Sequence, residues 1–383
     1  MKNKLSISRL TRKGITVLIS GMSLVLSSCH KTDVVQHPLK SFKQINLVAN
    51  KSLYNPKTID ATLINGFGLA WSPTGAAWVN SVGGHVSEIY NADGTIGRPN
   101  VKIPSPTDIN GNGLPTGIVF SGGKGFQIPN GSALFLFSGF DGVISGWNVA
   151  ADLTAKRLKN PPNSSYTGLA ISANGKNNFL YAANFGANRI DVWDTTFTRV
   201  SMSFTDPSIP LGFSPYNIQA IGDQLFVLYS QIGTNGLPVA GESKGFISIF
   251  TTDGKFIRRF ASEGTLNVPW GITAAQKGFL LSDDVTNITG IEKTQNNNSG
   301  IAPADSNDPV ILVGNFGDGK INVFTKDGIF LGHLRSKNKV IEIDGLWALS
   351  FAPPTAPIDP DRLYFTAGPN HETDGLFGYI IKD

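Results

Sequence analysis

Apolar residues along this chain come in short alternating runs, each cut off by glycine, aspartate or asparagine, and the same run-and-turn pattern returns about every 50 residues. The fullest copy is NFGDGKINVFTKDG, residues 315–328. Ile311, Leu312 and Val313 lead in as an apolar strand, and Ile321, Val323 and Phe324 return after Asp318-Gly319. An Asp-Gly pair between apolar runs predicts a tight type I′ hairpin turn, with positive φ at both central residues. Asp327-Gly328 turns the chain again, and NFGANRIDVWD, residues 184–194, repeats the design.

Placed in register, six segments share this grammar. Their first strands carry Gly68-Leu69-Ala70, Gly117-Ile118-Val119, Gly168-Leu169-Ala170, Asn217-Ile218-Gln219, Gly271-Ile272-Thr273 and Trp347-Ala348-Leu349. The first four spacings are 49, 51, 49 and 54 residues; the fifth is longer because residues 282–309 intrude as a Ser/Asn/Asp-rich run. Turns between second and third strands recur at Gly83-Gly84, Asp141-Gly142, Ala187-Asn188, Lys244-Gly245, Asp318-Gly319 and Asp374-Gly375. Third strands end on Tyr90, Trp147, Trp193, Phe250, Phe324 and Tyr379, aromatics whose recurrence predicts packing between neighbouring units. A period near 50 built from four short strands predicts an all-β, six-bladed β-propeller of four-stranded blades. The last segment stops at Asp383 without a fourth strand, whereas residues 45–49 form an unmatched strand at the other end. The last blade is therefore expected to be closed by the N-terminal strand, which removes an open sheet edge.

The words Asn46-Leu47-Val48, Gly68-Leu69-Ala70, Pro115-Thr116-Gly117, Asn315-Phe316-Gly317 and Ile321-Asn322-Val323-Phe324 resemble NHL-type repeats. As a set they are similar to those of an uncharacterised family of exported bacterial six-bladed propellers. The resemblance covers residues 44–381 and implies the fold, but it supplies no activity.

The N-terminus changes the picture of location. Residues 1–28 carry five cations and no acid, then an apolar stretch of 13 residues, then small residues before Cys29. This is the build of a secretory signal, and the apolar stretch is shorter than the roughly 20 residues of a membrane span. Leu26-Ser27-Ser28-Cys29 resembles a bacterial lipobox, which implies cleavage before Cys29 and its acylation. Cys29 is the single cysteine, so no intramolecular disulfide forms. The domains expected are a lipoprotein signal at 1–28, a tether at 29–43 and a propeller at 44–383 with 282–309 inserted. By resemblance to envelope sorting, His30 after the cysteine implies the outer membrane. Without the signal, 27 cations face 28 acids, a net charge of −1 where the whole chain carries +4. Nucleic acid is therefore not an expected partner.

Candidate chemistry is sparse. The second strands end on Asn80, Ser138, Asn184, Ser230, Asn315 and Thr366, all small and polar. A ring of such groups can hold a cation, grip a sugar or peptide, or bond the turn backbone as Asx and ST turns do. Trp270, beside the channel-lining first strand, is a contact candidate or a core residue. The tentative ligand-binding set is Asn80, Asn184, Asn217, Trp270, Asn315 and Asp344. Calcium-dependent lactonase-type propellers place acidic and amide groups at the channel mouth, and Asn217, Asp283, Asp284 and Asp344 are the residues that resemble them. Residues 108–113, DINGNG, match the first half of an EF-hand loop, yet Val119 stands where the bidentate glutamate belongs, so a Gly-rich turn is expected. The chain has five histidines, and no HExxH or CxxC motif occurs. The expected function is a lipid-anchored, monomeric scaffold that binds a protein or small ligand, with no catalytic residues and no cofactor. The alternative is a Ca²⁺-dependent lactonase or esterase acting at the channel mouth.

Overall fold

A computed structural model describes residue 39 and residues 41–123, 125–275, 279 and 309–383, all within the unit Gln36–Asp383. The predicted signal, residues 29–38 and 40 of the tether and residues 282–308 of the insertion lie outside the described residues. Among those described, the only helical turns are two 3₁₀ segments, Ser52–Tyr54 and Val149–Ala151; the rest is strand and turn.

Six sheets of four or more strands are the six blades of a propeller. Their first strands are Gly66–Trp71, Pro115–Phe120, Tyr166–Asn174, Phe213–Ile221, Pro269–Ala274 and Leu346–Ser350. Each packs beside the first strand of the next blade, and the sixth packs beside the first, so the ring is closed. The Gly-apolar-Ala word has a steric cause. A Cβ on Gly68 would sit 2.3 Å from the Thr116 carbonyl oxygen, one on Gly168 2.1 Å from Asn217 Oδ1, and one on Gly271 2.5 Å from the Trp347 carbonyl oxygen. Around the axis, backbones of adjacent blades approach so closely that a side chain has no room.

The closing blade follows the expectation and extends it. Leu346–Ser350, Leu363–Ala367 and Leu376–Lys382 are joined by the N-terminal strand Phe42–Ala49, paired antiparallel from Phe42 with Lys382 to Ala49 with Leu376. The strand begins three residues earlier than its apolar core suggests, so residues 42 and 43 belong to the propeller and not to the tether. Thr58–Ile59 then adds a short parallel fifth strand on Val48 and Ala49. Polar bonds lock the junction. Asp374, 1% exposed, receives Lys51 Nζ at 2.6 Å, the Tyr54 hydroxyl at 2.7 Å and Asn50 Nδ2 at 3.3 Å. Burial by itself would raise the Asp374 pKa, but these donors outweigh it and hold the carboxyl below its ordinary range.

The hairpin turns differ from the type I′ expectation. In blade five, Asn315 pairs with Lys320 and four residues loop between them. Only Gly319 of the Asp-Gly pair is left-handed, at φ 68°. Asn315 Nδ2 donates to Asp318 Oδ1 at 3.1 Å, and that oxygen accepts the Lys320 N–H at 3.2 Å, which holds the longer loop. Asn188 at φ 50° and His85 at φ 62° take the same last-loop position in blades three and one. The strand-ending aromatics pack between blades as expected: Trp147 lies 4.9 Å from Trp78, and Tyr90 5.7 Å from Phe377. The EF-hand-like stretch is a self-bonded turn in which Asp108 accepts from Asn110 N–H and Asn112 Nδ2, each at 2.8 Å.

Candidate functional site

First strands start, and second strands end, on the same face: Gly66 pairs with Ser81, Pro269 with Asn315 and Leu346 with Ala367. Residues before the axial glycine ring therefore gather at one mouth of the channel. In four blades that residue is aromatic, namely Phe67, Tyr216, Trp270 and Trp347, the last because Ala348 and not Trp347 stands at the ring position of blade six, one residue later than the sequence register; blades two and three carry Thr116 and Thr167. The loops after the second strands add Val82, Phe140, Phe185, Ile232 and Phe316 to one apolar cluster. Trp347 is sandwiched between Phe67, 3.8 Å away at 25°, and Phe316, 4.0 Å away at 19°. Trp270 stands edge-on to Phe67 at 5.0 Å, and its Nε1–H donates to the Thr167 carbonyl at 2.9 Å, reaching from blade five to blade three. Trp347 Nε1–H donates to Asn65 Oδ1 at 2.8 Å. The mouth is thus sealed by stacked rings, with both indole N–H groups satisfied. Beneath the seal a cavity of about 70 Å³ follows the axis, lined among others by Gly68, Gly117, Asn217, Gln219, Thr273 and Ser350.

The rim of this mouth carries three consecutive left-handed residues that are not glycine, a run found nowhere else among the described residues. Asn370, His371 and Glu372, consecutive residues in the turn after the second strand of blade six, have φ of 56°, 55° and 64°. Left-handed conformation costs L-residues roughly 1–2 kcal/mol each, so the turn must be held by its surroundings. Asp344 Oδ2 accepts the Asn370 N–H at 2.8 Å, and Asn370 Nδ2 donates to Thr373 Oγ1 at 2.8 Å. Glu372 N–H donates to the Gly368 carbonyl at 3.1 Å. Glu372 Oε2 accepts from Asn65 Nδ2 at 2.7 Å, so Asn65 links this turn to Trp347 of the seal. Partial burial raises the Glu372 pKa, opposed by the Asn65 bond. Burial, and then the Glu372 charge, push the Tyr216 phenol well above its ordinary range. His371 and Glu372 remain exposed at residue level. The rim therefore offers an imidazole and a carboxyl group on a backbone held by its neighbours.

The six residues singled out from sequence divide between these settings. Trp270 is part of the seal, and Asp344 is exposed and fastens the left-handed turn. Asn217 lines the cavity, but its Nδ2 donates to the Trp270 carbonyl at 2.7 Å and its Oδ1 accepts the Ile218 N–H at 2.8 Å. Asn80 Nδ2 donates to the Thr116 and Gly117 carbonyls of blade two at 3.0 and 3.2 Å. Asn184 bonds Asp191 Oδ2 at 2.9 Å and the Ser165 N–H at 3.1 Å. Asn315 bonds the Thr265 carbonyl at 2.7 Å. In the same way Thr366 Oγ1 donates to the Phe67 carbonyl of blade one. These amides and hydroxyls tie strands, loops and blades together. Asp283 and Asp284 lie outside the described residues. Among the described residues no three His, Cys, Asp or Glu side chains gather closely enough to hold a metal ion. Sequence reasoning missed the seal, although aromatic residues before the ring position in four blades signalled it. It also missed His371 and Glu372, for which the sequence offers no signal.

No protein-family model matches the chain. Two mimivirus proteins (Acanthamoeba polyphaga mimivirus) are similar to it. Uncharacterized protein L690 is 33% identical over 289 residues, covering 70% of this chain and 68% of that protein. Uncharacterized protein R648 is 31% identical over 356 residues, covering 88% and 79%. Among solved structures, a streptogramin B lyase gives a TM-score of 0.49 at 14% identity over 89% of this chain and 97% of that one. The virginiamycin B lyase of Staphylococcus aureus gives 0.47 at 14% identity, over 89% and 99%. On the extent and identity of the two viral matches, this six-bladed propeller belongs to the same family as the mimivirus proteins L690 and R648.

Proposed function

We propose that the protein is a monomeric binding scaffold of a bacterial cell envelope. It is exported by residues 1–28, held at the outer membrane through an acylated Cys29, and presents the rim of its sealed mouth to one protein or ligand partner. The observation that carries the binding face is the left-handed turn Asn370-His371-Glu372, bonded into place by Asp344 and Asn65. Strained backbone that the fold over-determines concentrates where recognition needs fixed groups. Engagement of the Asn217 amide with backbone at both ends favours binding at the rim over chemistry in the channel. The lipobox-like residues 26–29 support the anchor.

Two measurements test this reading. After a high-salt wash, Cys29→Ser should leave the membrane while the wild type stays; salt-resistant membrane association of a cleaved, unacylated chain contradicts the anchor. Purified mature protein should show no calcium-dependent stabilisation and no turnover of a lactone and ester panel. Bound calcium together with turnover would replace the scaffold by a metal-dependent hydrolase.

A further inference from the structure

The outer edge shared by blades one and two joins cations and exposed apolar side chains in one patch. The fourth strand of blade one, Ile96–Lys102, is an edge strand. It meets the connection between third and fourth strands of blade two: Lys102 N–H donates to the Leu153 carbonyl at 2.8 Å, and Ala155 N–H to the Lys102 carbonyl at 3.0 Å. Arg98 lies over the Trp147 ring, 5.7 Å from its centre, and Trp147 Nε1–H donates to the Asp152 carbonyl at 2.7 Å. Ile96, Val149 and Leu153 are 60%, 63% and 43% exposed. The same two segments carry Arg98, Lys102, Lys156, Arg157 and Lys159, and Asp152 is their one acid. Arg157 also donates to the Ser105 and Pro106 carbonyls, which fixes its position without cancelling its charge.

We infer that this patch docks on an anionic lipid surface. Residues 29–383 are net negative, so five cations against one acid in these two segments is a local feature and not a reflection of composition. Cations and Pro99 would suffice to guard an edge strand against pairing; they do not account for three exposed aliphatic side chains among them. A nucleic-acid backbone would satisfy the cations and leave Ile96, Val149 and Leu153 without a partner. A bilayer serves both: aliphatic groups enter the headgroup boundary while Lys and Arg reach the phosphates. The patch needs no acyl chain, so the inference stands apart from the Cys29 anchor, and it would set the propeller's orientation on the membrane the anchor reaches.

The test uses residues 36–383, which contain all six blades and their closing strand and lack Cys29. Co-sedimentation with phosphatidylglycerol/phosphatidylethanolamine vesicles should exceed that with phosphatidylcholine vesicles and fall as salt rises. Each cation near an anionic surface is worth roughly fivefold in partitioning, so Lys102→Gln/Lys156→Gln/Lys159→Gln should lower it by about a hundredfold. Val149→Ser/Leu153→Ser should weaken it several-fold with the salt dependence kept. Thermal melting of each variant confirms that the fold is intact. Equal sedimentation with both vesicle types, undiminished binding by the charge variant, or preference for a short DNA duplex would overturn the inference.

Discussion

Glu88 offers a test of the structure through its protons. It sits mid-strand in blade one, 4% exposed. Its Oε1 and Asp60 Oδ1 each lie 2.6 Å from the one hydroxyl of Thr62. A hydroxyl carries a single hydrogen, so it cannot donate to two carboxylates at once. The arrangement is satisfied when Glu88 is protonated, donates to Thr62, and Thr62 donates to Asp60. Burial first, and the Asp60 charge in addition, raise the Glu88 pKa to about 7 from 4.5, opposed by the Thr62 and Asn100 bonds. At 1.36 kcal/mol per unit this is worth about 3 kcal/mol. The folded state binds this proton more tightly than the unfolded chain does. The stabilisation is therefore complete below pH 4.5, declines as pH rises, and is gone above about pH 7. Because Asp60 N–H also bonds the Ala49 carbonyl at 3.0 Å, the proton supports the segment lying on the closing strand. Glu88→Gln keeps a donor for Thr62 at every pH. Urea unfolding from pH 5 to 8 should show wild-type stability falling relative to Glu88→Gln by about 2–3 kcal/mol, with the variant the more stable protein at pH 8. Parallel curves for the two proteins would refute the proton count.

Three further outcomes follow from the packing. Gly168→Ala would place a methyl 2.1 Å from Asn217 Oδ1 and 2.8 Å from its Cα, and should cost about 1–3 kcal/mol in urea unfolding; an unchanged midpoint contradicts the close approach of blades three and four. Trp270→Phe leaves the Thr167 carbonyl without its donor and should cost about 1–3 kcal/mol; a neutral result would deny the strut across the mouth. Deleting residues 42–49 leaves the strand Leu376–Lys382 unpaired on one side and should replace the single thermal transition by a broad one; a truncated chain that melts like its parent contradicts closure.

The blade count, the strand order and the closing strand were legible because a repeat states the same instruction six times and a missing fourth strand leaves a visible gap. Repetition also identified the interblade aromatics correctly. It could not reveal why Gly68, Gly168 and Gly271 are glycines, since the atoms that exclude a Cβ come from strands about 50–75 residues away in sequence. The turn at Asp318-Gly319 was misjudged because Asn315 and Asp318 hold a longer loop through their side chains. For the site, Trp270 and Asp344 were within reach of sequence reasoning. The turn Asn370-His371-Glu372 was not: its left-handed backbone contains no glycine and is imposed by Asp344 and Asn65 from other segments. Small polar residues ending the second strands looked like a ligand ring in one dimension, while in three dimensions their hydrogen bonds go largely to neighbouring strands and loops.

The most direct test of the functional account is capture of the partner from envelope extract by three forms of the mature protein: wild type, the rim variant His371→Ala/Glu372→Ala, and the channel variant Gln219→Ala. The account predicts one stoichiometric partner held by wild type and by the channel variant, and lost at least tenfold by a rim variant that melts normally. Retention by the rim variant with loss by the channel variant would contradict it.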